Sequence, residues 1–573
     1  MSVDTDVLII GAGFSGLGFA IQLQKQYPQA SFEIIEKTDN VGGTWWVNTY
    51  PGCGCDVASH FYSFSFALNP NWSRKFALQP EIAAYCRADA TFDEPTGTWL
   101  VTVRDQPSGR VYQKRARVLV SAVGALSVPR ECEIPGVDSY TGRVFHSARW
   151  DHSFDWTGKD VVVVGNGCSA TQFVPILTGG AHHVVQFSRQ AHWLAERPNP
   201  EYSRLFKWTM RWVPLAMRAY RFYLYYMMER DFGAFATATG GDVRAEQKRL
   251  QSEYIRRAAP ARYREALVPT TEIGCKRKVL DTDYLACLHR ANMELMHDDP
   301  VERFTPAGVR TRSGREVPAD AVILANGFQT QQLLHPLVIR GEGGVTLNEH
   351  WERVSSGAPQ AYYGTCVSGF PNLFVLMGPN TTTGHLSVIY SVECQTNFAL
   401  RLLAPVLGSL RPSSSLLARW NPFARAPSDT VAVTDDAEQR DNSWIQSAAS
   451  QLVWATGCTS WYIDARTGRN TMLYPDWQFK FWLRSVFFPS RDFVWKSSRV
   501  RLPTKTVAGR KKRNAGAAVV VVSAGLAVAA ALYAVKSEGM PPALLLRDVE
   551  ERIQRVFRMS MDGIVSAWKS IMD

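Results

Sequence analysis

Two glycine-spaced turns are the first places in this sequence where residue type and spacing point to chemistry. Gly11-x-Gly13-x-x-Gly16, with Phe14 and Ser15 inside it, follows the apolar run Val7 to Ile10 and opens a helical pattern. Backbone amides at such a turn, together with the helix N-terminus, can hold a pyrophosphate, and glycine lets the phosphates come close. The next strand, FEIIE, ends on Glu36, where a carboxylate can accept hydrogen bonds from an adenosine ribose. Gly165-x-Gly167-x-x-Ala170 repeats the device, with Asn166, Cys168 and Ser169 in the loop and Thr171 after it. Its second strand ends on Ser188-Arg189 instead of an acid. A cation there suits a 2′-phosphate, so the second dinucleotide is expected to be NADPH and not NADH.

The elements that must carry these turns are two β-α-β units, one from about Val7 to Glu36 and one from Asp160 to Arg189. They predict an α/β chain with two dinucleotide-binding, Rossmann-like domains, the second inserted in the first. The expected boundaries are 1–150 for the first part of one domain and 151–320 for the inserted domain, with a helical insertion near 205–264. Residues 321–495 would complete the first domain through the strand signals AVILANGF, with Gly327 ending the strand, and NLFVLMGPNTTTGH. Lys207, Arg211, Arg218 and Arg221 interrupt the apolar insertion and argue against a plain span, leaving helices that cover a substrate site or touch a membrane surface.

With 46% apolar and 20% charged residues, the 573-residue chain has ordinary globular composition. The net charge of +11 owes most to one segment, Lys496 to Arg513, which holds eight basic residues and no acidic one, so a nucleic-acid partner is not expected. The ten cysteines form no C-x-x-C, and Cys53 and Cys55 are too close for an ordinary disulfide loop or a zinc knuckle; a reduced setting and no metal are expected. With a short N-terminus running directly into Val7, no signal peptide is expected. After the basic linker 496–513, residues 514–535 run without a charge for roughly the 20 residues a helix needs to cross a bilayer. They predict a single transmembrane helix, and Arg510 to Arg513 beside it place the catalytic domains in the cytosol, on the endoplasmic reticulum. Residues 536–573 follow with helical apolar spacing and predict an amphipathic tail.

Between the two glycine loops stands Tyr140-x-Gly142-x-x-x-His146-x-x-x-Trp150-Asp151. This segment resembles the fingerprint of Baeyer–Villiger monooxygenases, class B flavoproteins that insert one oxygen atom beside a ketone carbonyl. GGTWW at Gly42 to Trp46, the segment from Tyr50 to Phe66, GCKRK at Gly274 to Lys278, ANGF at Ala325 to Phe328, GPNTTTGH at Gly378 to His385 and CTSWY at Cys458 to Tyr462 agree, in family order. The likeness runs from residue 5 to about 490. Small departures are Tyr140 for a usual phenylalanine, ANG for ATG, and Ala58 where an acidic residue often stands.

The resemblance implies FAD on the first loop and NADPH on the second. It implies that NADPH reduces FAD and that a C4a-peroxyflavin attacks a small apolar carbonyl substrate, giving an ester or lactone. Arg277 would supply the fixed positive charge and Asp56 would orient it. Gly43, Thr44, Trp45, Trp46, Val47, Asp56, Val57 and Tyr62 would contact the flavin; Gly54, Cys55, Asp56 and Lys276 would contact NADP, and Trp461 would close over it. His146 and Trp150 would hold the linker between domains. Three alternatives stand beside this reading. One is a monooxygenase acting on nitrogen or sulfur, which Trp150-Asp151 and Arg277 disfavour. A second is a flavoprotein disulfide reductase, which would need a cysteine pair where Thr44 and Trp45 stand. The third is a membrane-tethered nucleotide-binding protein without turnover.

Overall fold

The computed structural model describes residues 4–87, 99–104, 110–334, 337–410, 427–458 and 460–497. It divides into a large unit, Met1–Tyr202 with Met227–Pro503, and a smaller one that includes Ser203–Tyr226. The basic segment beyond 497, the expected transmembrane helix 514–535 and the expected tail 536–573 lie outside the described residues.

Runs of Val, Ile and Leu flanked by glycine turns form parallel strands that are buried on both faces. In the first sheet the parallel order is Leu373–Val375, Val111–Ser121, Thr5–Ile10, Phe32–Ile35, with Trp99–Arg104 added antiparallel to Val111–Ser121. The second sheet is wholly parallel, in the order Met293–Met296, His183–Phe187, Asp160–Val164, Ala321–Leu324, Arg143–His146. Val7, Leu8 and Ile9 at the centre of one, and Val162 and Val163 at the centre of the other, are completely buried. Each such side chain stabilises the fold by about 1.5–3 kcal/mol over an exposed one.

One strand goes to a different sheet from the one expected. Ala321–Leu324, read above as completing the first sheet, pairs in the second, between Asp160–Val164 and Arg143–His146. A four-residue apolar strand carries no mark of its partner, since any doubly buried parallel sheet accepts it. Leu373–Val375 does join the first sheet.

The helical stretch is observed as Arg204–Trp212, Ala216–Glu229 and Gly241–Ala258. The first begins where the Ser203 hydroxyl accepts from the Phe206 amide at 3.1 Å, an N-cap that satisfies one otherwise orphaned donor. Its Leu205, Trp208 and Trp212 are exposed. Among the described residues no helix is long and apolar enough to cross a membrane. The membrane location expected from the sequence, cytosolic domains held at the endoplasmic reticulum by a C-terminal helix, is therefore withdrawn.

The first glycine turn holds its shape by backbone contact. A Cβ on Gly16 would lie 1.9 Å from the Gly11 carbonyl oxygen, and one on Gly11, at φ +106°, would lie 2.6 Å from that of Ala122. The strand and helix cross where only glycine fits. Gly16→Ala is expected to destabilise the protein by about 1–3 kcal/mol, as overpacking does, and to lower the FAD retained on purification; a variant with wild-type melting temperature and flavin content would contradict this reading.

Candidate active site

Both glycine turns open into one cavity of about 1790 Å³. Single-ligand pockets usually occupy roughly 300–1,000 Å³, so there is room here for more than one ordinary ligand. Gly11, Gly13, Phe14, Ser15, Glu36, Gly43, Thr44, Trp45, Val47, Val57 and Tyr62 line it on one side. Gly165, Asn166, Gly167, Cys168, Ser169, Ser188, Arg189 and Lys276 line it on the other, and Gly54, Cys55, Asp56, Arg277 and Trp461 are also at its wall. Not all expected contacts reach it. Ala170 and Thr171 are buried in the helix Cys168–Leu177, where the Thr171 carbonyl accepts from Thr282 Oγ1 at 2.7 Å. Gly16 serves the strand–helix crossing, and the Trp46 indole donates to Asp39 Oδ1 at 2.8 Å.

The cavity suits two dinucleotides. Gly43, at φ +54°, would bring a Cβ within 2.9 Å of Gly13 Cα, so the Gly42–Gly43 segment packs glycine to glycine against the first turn, and both glycines line the cavity. At Gly167 a Cβ would meet no atom within 4 Å, which leaves the floor of the second turn open to a phosphate. Glu36 Oε2 accepts from the Ala12 amide at 2.7 Å and Oε1 from Thr38, fixing the carboxylate at the cavity edge with lone pairs to spare. Trp45 Nε1 donates to the Tyr62 hydroxyl at 2.9 Å, and Phe14 meets the Tyr62 ring edge-on at 5.4 Å, making a rigid aromatic wall.

Where the two halves meet, Arg277 Nε donates to Asp56 Oδ2 in a short charged hydrogen bond, and Nη1 donates to the Thr383 carbonyl at 3.2 Å. Burial pushes the Asp56 carboxyl up, but the charge and hydrogen bond of Arg277, with help from Arg197, outweigh it and hold the group below its ordinary value. Burial likewise opposes the charge on Arg277, and Asp56 more than offsets it, so the guanidinium stays protonated. Arg197 was not legible as a site residue; its Nη2 donates to the Cys55 carbonyl at 2.7 Å and its guanidinium lies 4.9 Å from the Phe76 ring centroid, steadying the loop that carries Asp56.

The proposed phosphate end is basic. Lys276 Nζ donates to Gln190 Oε1, and burial together with Arg189 lowers its proton affinity. Dehydration, reinforced by Lys276, takes the nearby His192 down to about 4. The fingerprint residues act on structure. The Ala148 amide donates to His146 Nδ1 at 3.0 Å, so Nε2 bears the hydrogen and donates to the Gly327 carbonyl at 3.1 Å. Trp150 is buried against Phe145 and Phe173.

The reduced setting expected for the cysteines does not hold at one pair. Cys275, next to Lys276, forms a disulfide with Cys458, with Cα atoms 5.4 Å apart and a separation of 183 in sequence. A pairing over that separation leaves no local spacing to read. No group of His, Cys, Asp and Glu among the described residues could hold a metal.

A doubled α/β nucleotide fold with a fixed arginine between its two glycine turns defines a pyridine-nucleotide-dependent flavoprotein. Residues 9–77 match the NAD(P)-binding Rossmann-like domain and residues 89–227 match the flavin-binding monooxygenase-like family. A Baeyer–Villiger monooxygenase of Pseudomonas aeruginosa is 35% identical over 495 residues, 83% of this chain and 88% of that protein. Among solved structures, an oxidized steroid monooxygenase bound to NADP is 25% identical with a TM-score of 0.68, over 86% of this chain and all of that one. OTEMO in complex with FAD and NADP shares the fold, at 23% identity and a TM-score of 0.69, over 84% of this chain and 97% of that one. The chain belongs to the Baeyer–Villiger monooxygenase family. It is an FAD-dependent NADPH monooxygenase.

The lowered His192 has a pH consequence. Because its folded value, about 4, lies below the ordinary 6.5, the unfolded chain takes up the proton first as pH falls. Its effect is absent above pH 6.5 and removes stability from there down to about 4. Melting curves of the cofactor-free protein at pH 7, 5.5 and 4.5 are expected to fall more steeply for wild type than for His192→Gln; equal slopes would remove His192 from the account.

Proposed function

We propose that the protein oxidises a ketone to an ester or lactone, with FAD on the Gly11–Gly16 turn and NADPH on the Gly165–Ala170 turn. The observation that carries this reading is the Arg277–Asp56 pair at the junction of both turns in one cavity. Bound FAD, reduced by NADPH, supplies the activation of O2. The protein's own share is electrostatic. As a ketone carbonyl is attacked, negative charge grows on its oxygen, and a cation already in place stabilises that charge without reorganising. Arginine suits this because it keeps its proton in a dehydrated site where a lysine would lose it.

Asp56 holds the Arg277 guanidinium by Nε, and the Thr383 carbonyl holds it by Nη1. On this reading the remaining face of the fork is presented to the reactants. Arg189 and Lys276 select the 2′-phosphate, Glu36 takes the adenosine ribose of FAD, and Trp461 screens the nicotinamide end from water. The apolar Ile389 and Val392 at the cavity wall favour a substrate that is hydrophobic around its carbonyl.

Arg277→Ala is expected to retain FAD and to be reduced by NADPH at near wild-type rate, while ester formation falls by about 100-fold or more, the scale of losing one preorganised charge contact. Rapid mixing for flavin reduction and mass spectrometry of ketone-derived products read the two steps separately. Undiminished ester formation in the variant would sink the assignment, as would a wild-type enzyme that oxygenates thioethers and leaves every ketone untouched.

A further inference from the structure

Arg277 has a second anchor besides Asp56, and that anchor is itself held by a buried chain of polar groups. The Thr383 carbonyl accepts from Arg277 Nη1 at 3.2 Å. The Thr383 hydroxyl oxygen accepts from the amides of His385 at 3.3 Å and Leu386 at 3.0 Å. With two amides donating into it, the hydroxyl's own hydrogen is directed to His385 Nδ1, 3.1 Å away. The imidazole then carries its hydrogen on Nε2, which faces Glu229 Oε2 at 3.1 Å. The other oxygen, Oε1, accepts from the Phe479 amide at 3.2 Å.

The side chains of His385 and Glu229 are only 3% and 8% exposed. The imidazole is flanked by the rings of Phe232 and Phe235, at 5.6 and 5.7 Å. A carboxylate in such surroundings is costly unless its oxygens are satisfied, and both are. A hydrophobic side chain would fill the space as well or better, so stability alone does not account for a buried polar pair whose far end terminates on the residue that holds Arg277.

We propose that Glu229 is a positioning residue for Arg277, acting through His385 and Thr383. Glu229 fixes the tautomer and tilt of His385, His385 fixes the Thr383 hydroxyl, and the Thr383 backbone fixes the guanidinium that Asp56 holds from the other side. The inference rests on the reading of Arg277 as the cation of the site. It adds that the guanidinium is clamped from two directions, and that the second clamp is set from a residue outside the cavity wall.

The test uses the FAD-loaded full-length enzyme with Glu229→Ala, Glu229→Gln and Thr383→Val. Gln keeps an acceptor for His385 Nε2, whereas Thr383→Val cuts the chain with little change of shape should Glu229→Ala fail to fold. Phenylglyoxal labelling of Arg277, followed by peptide mass, reports its freedom without any turnover. Several-fold faster labelling is expected in Glu229→Ala and Thr383→Val, and a rate near wild type in Glu229→Gln. In turnover with a ketone the first two are expected to divert NADPH electrons from ester to hydrogen peroxide at an unchanged rate of flavin reduction, with Gln restoring most of the ester. Wild-type labelling rates in folded Glu229→Ala and Thr383→Val would overturn the proposal. A wild-type enzyme that makes no ester would instead overturn the proposed function, and the labelling result would still decide the positioning claim.

Discussion

The contact between Asp56 and Arg277 joins two parts of the chain 221 residues apart and places a protonated guanidinium between two nucleotide turns. Without the carboxylate the arginine would be a partly buried cation with one carbonyl for company, and such a group relaxes toward water. Without the arginine the carboxylate would lose the charge that holds it below its ordinary value. Each half of the site therefore depends on the other being folded, and the rest of the architecture can be understood as what brings them together. One sheet supplies the turn at Gly11 and the other the turn at Gly165, and the loops bearing Asp56 and Arg277 reach across to close the cavity.

The supports of this pair differ in kind. Arg197 steadies the Asp56 side by taking the Cys55 carbonyl. The Cys275–Cys458 disulfide lies one residue from Lys276 and two from Arg277, and ties their loop to the segment that leads into Trp461. The Trp454 indole donates to the Gly274 carbonyl at 3.1 Å, a further tie between the same two segments. On the proposed reading, a cation that stabilises transient charge must not follow that charge as it forms, and these ties would keep it in place.

The sequence was legible where chemistry is local. A pyrophosphate turn needs three small residues within one strand-to-helix junction, and both examples are visible from spacing alone; the acid after one turn and the arginine after the other lie about one β-α-β unit away. Arg277 and Asp56 were legible only through family resemblance, because nothing in a Lys-Arg dipeptide or a turn aspartate announces a partner over 200 residues away. The roles of Glu229, His385 and Arg197 escaped notice for the same reason: they lie in contacts spanning 156 and 142 residues. Ala321–Leu324 shows the complementary limit, in that an apolar strand identifies a buried sheet without saying which one.

The most direct measurement of the central claim is the fate of labelled oxygen. With a hydrophobic ketone, NADPH and ¹⁸O₂ in ordinary water, the account predicts an ester or lactone carrying one heavy oxygen, inserted beside the carbonyl, for each NADPH consumed. A product whose new oxygen comes from water, or NADPH oxidation that yields hydrogen peroxide and leaves ketones unchanged, would contradict it.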